Sequence, residues 1–407
     1  MKRVIICLII LLFGLSSAHA EEMQSFTICT DSSDISARLI SAFSEENPDL
    51  RIHTVDTETI TREMVIKTRI ASNEPVDVAI YWGTRLNSFS DIGMCKDLTP
   101  YIDPEWLQVI DQDMLIRGSD GKIYGIPYNA IYHVMFYNLD MMRAYGFSEP
   151  ETWSELTDIF AQLKKDGIYG FCTNSVSMQD SMYGLTYPQL EAIGEGHSLA
   201  FANGEYSVIG TPEGQAIQSV IELVQDWYQA GYWYADNNIV TSAQSANAAF
   251  AQEKCMFVFN SCDELDIHLQ MCDFEVGVML KPVQSKGMLN FENLETKVLF
   301  IPNNASDEQT ELALRFLRFA TSQKGQQIVA DASAVPACPY DIKGSDLLMK
   351  ITSFKQNAIA NINPCRYNPA MQNFLKQEIF TSPCLGIRSV QEMLNEIERI
   401  FMMGKQQ

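Results

Sequence analysis

Residues 26–82 read FTICTDSSDISARLISAFSEENPDLRIHTVDTETITREMVIKTRIASNEPVDVAIYW, and the alternation within them decides the fold. Phe26 to Thr30 predicts a strand. Ser33 or Asp34 can cap the helix that follows, which carries Ile35, Leu39, Ala42 and Phe43 inward and stops at Pro48. Asp49 to Val55 predicts a second strand, and Thr61 to Ser72 a second helix with Met64, Val65 and Ile70 on its inner face. Val76 to Trp82 is apolar nearly throughout, as a parallel strand covered on both sides must be. Three strands joined by two helices make a βαβαβ unit with right-handed crossovers.

The same alternation continues outward from this unit. Thr152-Trp153-Ser154-Glu155 has the spacing of a capping box and opens a helix that buries Trp153, Leu156, Phe160 and Leu163 before Gly167. Thr211-Pro212 sets proline at a first helical position, and that helix runs through Ile217, Val220, Ile221 and Val224 to Gly231. Cys255 to Asn260, Phe274 to Lys281 and Lys297 to Ile301 predict three more strands. Ser306 to Gln309 caps a further helix that buries Leu312, Phe316 and Phe319. No repeat, low-complexity tract or long linker interrupts the pattern. A chain of 407 residues exceeds one comfortable core, so two lobes must share it by crossing between them.

At the N-terminus, Lys2 and Arg3 precede an apolar run from Val4 to Leu15, and Ala18-His19-Ala20 gives the small-x-small site of a cleaved signal peptide spanning residues 1–20. Cys7 lies inside the apolar run and not at the cleavage point, so no lipid anchor is expected and the protein is periplasmic or extracellular. Losing Lys2 and Arg3 takes the formal charge from −22 to −24. A chain so acidic repels nucleic acid and anionic membranes. Nine cysteines remain after residue 20, and an exported chain is expected to bridge some of them. Cys255, Cys262 and Cys272 lie close enough in sequence for one local bridge.

Enzyme signatures are missing from the places where they would stand. The first strand is followed by Thr30-Asp31-Ser32-Ser33-Asp34, without the glycines a dinucleotide needs for close backbone approach. There is no phosphate-cradling loop, no H-E-x-x-H for zinc and no G-x-S-x-G elbow. His53, His133, His197 and His268 are scattered, and neither they nor the cysteines show metal-ligand spacing. No cofactor, metal or catalytic residue is expected.

Several segments carry a family pattern in order along the chain. They are Phe43 to Pro48; Val76-Asp77-Val78 with Gly93 and Asp97 to Ile102; Asp120 to Tyr128; Phe136-Tyr137-Asn138; and Pro150 to Leu156. Ala313 to Phe319 with Thr321-Ser322, and Ser389 to Glu392, complete the series. Together they resemble the family 1 extracellular solute-binding proteins, which serve ABC-type sugar importers. The resemblance implies an α/β fold of the two-lobed, type II periplasmic-binding-protein kind, with mostly parallel sheets, helices on both faces and a hinge of several crossings. The expected lobes are 22–131 with 275–322, and 132–274 with 323–407. Two departures stand out. Asn260-Ser261-Cys262 occupies the place of a frequent sugar-stacking tryptophan, and Ile131 replaces a glutamate found in the maltose-binding relative.

Strand C-terminal ends in open α/β sheets point into the ligand crevice, which selects Asp31, Ser32, Trp82, Arg85, Tyr128, Asn129, Asn260 and Ser261. A sugar needs a flat aromatic face for its C–H surface and polar groups for its hydroxyls. Trp82 fits the first role, Arg85 and the amides the second. The resemblance adds Tyr183, in the region of a ligand-facing tyrosine in the maltose-binding relative. The expected function is non-catalytic capture of a mono- or oligosaccharide for an ABC permease, by a monomer. Two other readings stay open: the same fold binding a polyamine, phosphate ester or metal chelate, and a secreted polysaccharide hydrolase.

Overall fold

The computed structural model describes residues 23–31, 33–58, 61–235, 242–290, 292–360, 371, 374–375 and 378–404. In chain order the strands begin β1 (Gln24–Thr30), β2 (Leu50–Asp56), β3 (Val78–Trp82), β4 (Ile116–Arg117), β5 (Ile123–Ile131) and β6 (His133–Asn138). They continue as β7 (Tyr169–Thr173), β8 (Trp233–Tyr234), β9 (Cys255–Ser261), β10 (Val276–Met279), β11 (Glu292–Phe300), β12 (Val335–Pro336) and β13 (Ala358–Ala360). One sheet has the order β12-β5-β11-β3-β1-β2, with β13 on β11 and β4 on β5. The other has the order β10-β6-β9-β7-β8.

The βαβαβ unit forms for the reasons its sequence gives. Ser33 caps the helix Asp34–Glu46 by accepting from the Ser36 amide, and Ile35, Leu39 and Phe43 face inward. The Phe43 ring meets Phe316 edge-on at 5.1 Å, which docks the capped helix Asp307–Ala320 beside it. Each such buried side chain contributes roughly 1.5–3 kcal/mol. The second helix, Arg62–Ala71, turns differently from the expectation. Ile66, Ile70 and Arg62 are buried, while Met64 is 64% exposed. Arg62 goes inward because its guanidinium donates to the Thr57 hydroxyl and carbonyl, at 3.1 and 3.3 Å.

The sheets are mixed, where the sequence led us to expect mostly parallel ones. β1 pairs with β2 and β3 in parallel, and β7 with β8 and β9. β11, however, runs antiparallel to both β3 and β5, because it enters the first sheet on the chain's return from the second. The segment 275–279, assigned from sequence to the first lobe, belongs with the second sheet, where β10 pairs with β6. The segment 323–336, assigned to the second lobe, packs on the first sheet. There Gln326 donates to the Tyr128 carbonyl at 3.1 Å and β12 pairs with β5.

Only Tyr132 separates β5 in the first sheet from β6 in the second. The return from β10 to β11 is tied to that crossing by a wholly buried ion pair. Lys281 Nζ lies 2.9 Å from Glu292 Oε1 and also donates to the His133 carbonyl. A core cluster containing Ile131, Tyr132, Phe136, Val258 and Leu294, with Phe250 from the helix Ala243–Ala251, draws on both sheets. In this structure no sulfur–sulfur bond joins any two of the eight described cysteines, and the local bridge expected among Cys255, Cys262 and Cys272 is not formed. They sit at a strand start, in a turn and after a helix.

Candidate ligand cleft

Three strand termini and one strand interior converge where the sheets approach each other. β1 ends beside Asp31, β3 ends at Trp82, and β9 leads through Ser261 into the turn that holds Asp263. β11 contributes Lys297, which its antiparallel register sets directly across from Trp82 on one side and Asn129 on the other. Gly83 makes the close approach possible: a Cβ there would stand 2.3 Å from Thr296 Oγ1.

Lys297 organises the charges. Its Nζ is 2.8 Å from Asp31 and 3.9 Å from Asp263, which brings one carboxylate from each sheet to a single ammonium. The same Nζ sits 5.4 Å from the centre of the Trp82 ring, a cation–π distance. Asp31 also accepts from Ser33 Oγ and Ser36 Oγ at 2.7 and 2.6 Å. Burial acts to raise the Asp31 carboxyl, but the Lys297 charge and these hydrogen bonds outweigh it and hold the group well below the usual carboxylate range. Asp263 goes the other way. Burial, with help from Asp31 and Glu264, pushes it up to about 6 against the pull of Lys297. Burial acts to lower Lys297, yet Asp31 and Asp263 keep its affinity for a proton above normal. Nearby, Thr84 donates to Glu295 at 2.5 Å.

Of the residues chosen from sequence, Asp31 and Trp82 lie in this cluster. Asn129 is wholly buried beside it, donating to the Val335 carbonyl at 3.2 Å while its Oδ1 has no hydrogen-bond partner. Tyr128 needs correction: it is wholly buried, with its hydroxyl 3.4 Å from Ser36 Oγ, and backs Asp31 from inside the first lobe. Arg85 is half-buried in the turn after β3, where its charge acts on Tyr81, the neighbour of Trp82 on the opposite strand face. Asn260 also needs correction. It is only 2% exposed and serves the second sheet, donating to Asn247 at 2.9 Å and accepting from the Ser261 amide. Ser261 caps the turn by accepting from the Asp263 amide. Ser32 and the Tyr183 side chain lie outside the described residues.

Sequence reading missed Lys297 and Asp263. A lone lysine leading the apolar run Val298 to Ile301 was the available signal for the first. Asp263 follows the segment where the family's tryptophan is absent, so a carboxylate now stands on that wall. Size does not mark the site. Depressions of about 640 Å³, between the first helix and β2, and about 960 Å³, walled by Pro188, Leu199, Met288 and Leu289, both lie elsewhere.

A family model described as bacterial extracellular solute-binding protein matches residues 38–347. The chain belongs to that family. This is a family of binding proteins, not of enzymes, and its members are exported; among the described residues no helix is long and apolar enough to cross a membrane. A putative binding protein of Brucella abortus is 29% identical over 150 residues, 35% of this chain and 36% of that protein. The match therefore spans about a third of that curated relative. The multiple sugar-binding protein of Streptococcus mutans is 23% identical over 325 residues, 75% of this chain and 72% of its own. Among solved structures, a chitin oligosaccharide binding protein superimposes with a TM-score of 0.78 at 17% identity, covering 95% of this chain and all of that one. At that identity the likeness establishes the two-lobed solute-binding fold.

Proposed function

We propose that the protein captures a mono- or oligosaccharide between its two lobes and hands it to an ABC-type permease. In this reading residues 1–20 are a signal peptide removed on export, the mature chain carries no lipid anchor, and it acts as a monomer. The lobes are the two sheets with their helices, hinged at Tyr132, at the passage from β10 to β11, and beyond β12.

One observation carries the proposal. The aromatic face of Trp82 lies beside a cluster of charges drawn from both sheets, Asp31 and Lys297 from one and Asp263 from the other. A pyranose ring has an apolar C–H face and a polar rim, and this arrangement offers a surface for each. Asp263 Oδ1 and Asn129 Oδ1 are buried acceptors without a donor among the described residues, which suits a ligand rich in hydroxyl groups. The sugar-binding names of the S. mutans protein and the chitin oligosaccharide binder agree with this chemistry.

A cationic solute is the competing reading, favoured by the meeting of Asp31 and Asp263. Lys297 already stands between those carboxylates and answers much of their charge, which weighs for a neutral sugar. Calorimetric titration against a panel of neutral oligosaccharides, amino sugars and polyamines decides between them. A heat signal from the neutral sugars alone supports the proposal, and binding confined to polyamines overturns it.

A further inference from the structure

Beneath the end of β7 lies a pair of thiols that ligand capture does not use. Cys172 Sγ and Cys255 Sγ are 2.9 Å apart, and both residues are wholly buried. They belong to neighbouring parallel strands. Register sets Cys172 opposite Val258, three residues along β9 from Cys255, so the two are not a ladder pair and the sulfur contact is made where Cys255 opens β9. The helix Ala243–Ala251 covers them, with Ala246, Ala249 and Phe250 in the same apolar cluster and the Ala246 carbonyl accepting from Cys172 at 3.3 Å. Among the described residues no other two cysteine sulfurs are in hydrogen-bonding contact.

We propose that Cys172 and Cys255 are joined by a disulfide in the exported protein. An S–S bond is about 2.0 Å long, so the sulfurs need to close by roughly 0.9 Å from the 2.9 Å at which packing already holds them. The compartment outside the cytoplasm supplies the chemistry. Each thiol gives up its proton and together they give up two electrons. The disulfide of a dithiol oxidant accepts both and leaves as two thiols, after a mixed disulfide with one of the pair. Burial, and then the neighbouring Cys172, pushes the Cys255 thiol up, so its reactive thiolate is scarce in the folded chain. The bond therefore forms while the chain folds, before the helix Ala243–Ala251 closes over it.

The consequence falls on the cleft wall. β9 leads through Ser261 into the turn that holds Asp263, so the bond pins that strand to its neighbour β7.

The test is a disulfide map of the full-length protein collected after secretion. It is denatured with iodoacetamide and no reductant, then digested with chymotrypsin, which cuts after Phe257 and Phe259 and so separates Cys255 from Cys262 and Cys272. The expected result is a linked pair of peptides carrying Cys172 and Cys255, lighter by two hydrogens than the free pair and released by reductant. Alkylation of both residues overturns the proposal, as does Cys255 bonded to Cys262 or Cys272. A C172A/C255A double variant supplies the second measurement. Reductant should lower the melting temperature of the wild type by several degrees and leave the variant unmoved. An equal shift in both proteins counts against the bond. If the double variant does not fold, the peptide map decides alone.

Discussion

Replacing Lys297 with methionine keeps the apolar stem and removes the ammonium that Asp31 and Asp263 share. Asp31 is 2% exposed and Lys297 10%, so the lost contact is a buried ion pair. Breaking one such pair from a single side costs about 3–5 kcal/mol, because a carboxylate is left without its counter-charge. The hydrogen bonds from Ser33 and Ser36 stay on Asp31 and offset part of this, at about 1 kcal/mol each. A deficit of about 3 kcal/mol at pH 8 follows. Its pH dependence has a definite sign. The lowered Asp31 pKa of the wild type contributes stability that is present above the unfolded value, near 4, and persists until pH falls through the folded value below it. Without Lys297, burial is left to raise that carboxyl, and the variant recovers stability as protons neutralise it. Urea unfolding followed by tryptophan fluorescence at pH 8 and pH 5 should therefore give a K297M deficit that narrows in acid at an unchanged m-value. A deficit below about 1 kcal/mol at pH 8, or one equal at both pH values, would show that Lys297 is not the counter-ion of Asp31.

The Asp263 carboxyl, raised to about 6 from an ordinary 3.8, opposes folding as pH climbs through that interval, by up to about 3 kcal/mol. The D263N variant should lack this loss, and parallel stability curves for variant and wild type between pH 4 and 7 would refute the assignment. Trp82→Ala should weaken sugar binding by about 1–3 kcal/mol, five- to 150-fold in Kd; calorimetry finding unchanged affinity together with a large fall in melting temperature would return Trp82 to a packing role. At the β10–β11 passage, Glu292→Ala leaves the buried Lys281 ammonium with the His133 carbonyl but no counter-charge, so unfolding should become easier by about 3–5 kcal/mol. A change under about 1 kcal/mol would mean that water or the His133 carbonyl suffices for Lys281 without the carboxylate.

What could be read from the sequence was local. Ser33, Thr152 with Glu155 and Ser306 with Gln309 are caps whose donors and acceptors lie within three residues, and the structure forms all three. The parallel β1–β3 core followed from hydrophobic period and connection length. Direction did not, because Val298 to Ile301 has the same apolar composition whichever way β11 runs. That ambiguity hid the most charged residue of the cleft. Choosing strand C-terminal ends favours groups such as Asp31 and Trp82 on parallel strands, but β11 is antiparallel, so the residue it sets beside the end of β3 is the interior Lys297 and not its own C-terminus. Tyr128 failed for the opposite reason. An aromatic after Pro127 at a crossing looks available to ligand, yet Gln326, from a helix nearly 200 residues later, closes over its backbone. The inward turn of Arg62 likewise depends on the Thr57 hydroxyl, a partner that helical periodicity does not register.

The charge cluster also bears on how a ligand would close the lobes. Of its two ionic contacts, the 2.8 Å pair between Lys297 and Asp31 lies within the first sheet and persists whether the lobes are open or shut. Only the contact to Asp263 spans the two, and at 3.9 Å with Asp263 one-fifth exposed it is an attraction without a short hydrogen bond. Such pairs are worth about 0–1 kcal/mol, and the raised Asp263 carboxyl weakens the contact further below pH 6, where Asp263 is neutral. This one ionic contact between the sheets therefore adds little to any bias toward closure. A solute shifts that balance only by the difference between its affinities for the two forms. A sugar that stacks on Trp82 while donating to Asp263 makes one contact available in both forms and one available only in the closed form. In the proposed reading the second contact is the one that drives closure, and Asp263, not the aromatic platform, is then the residue that couples binding to closure.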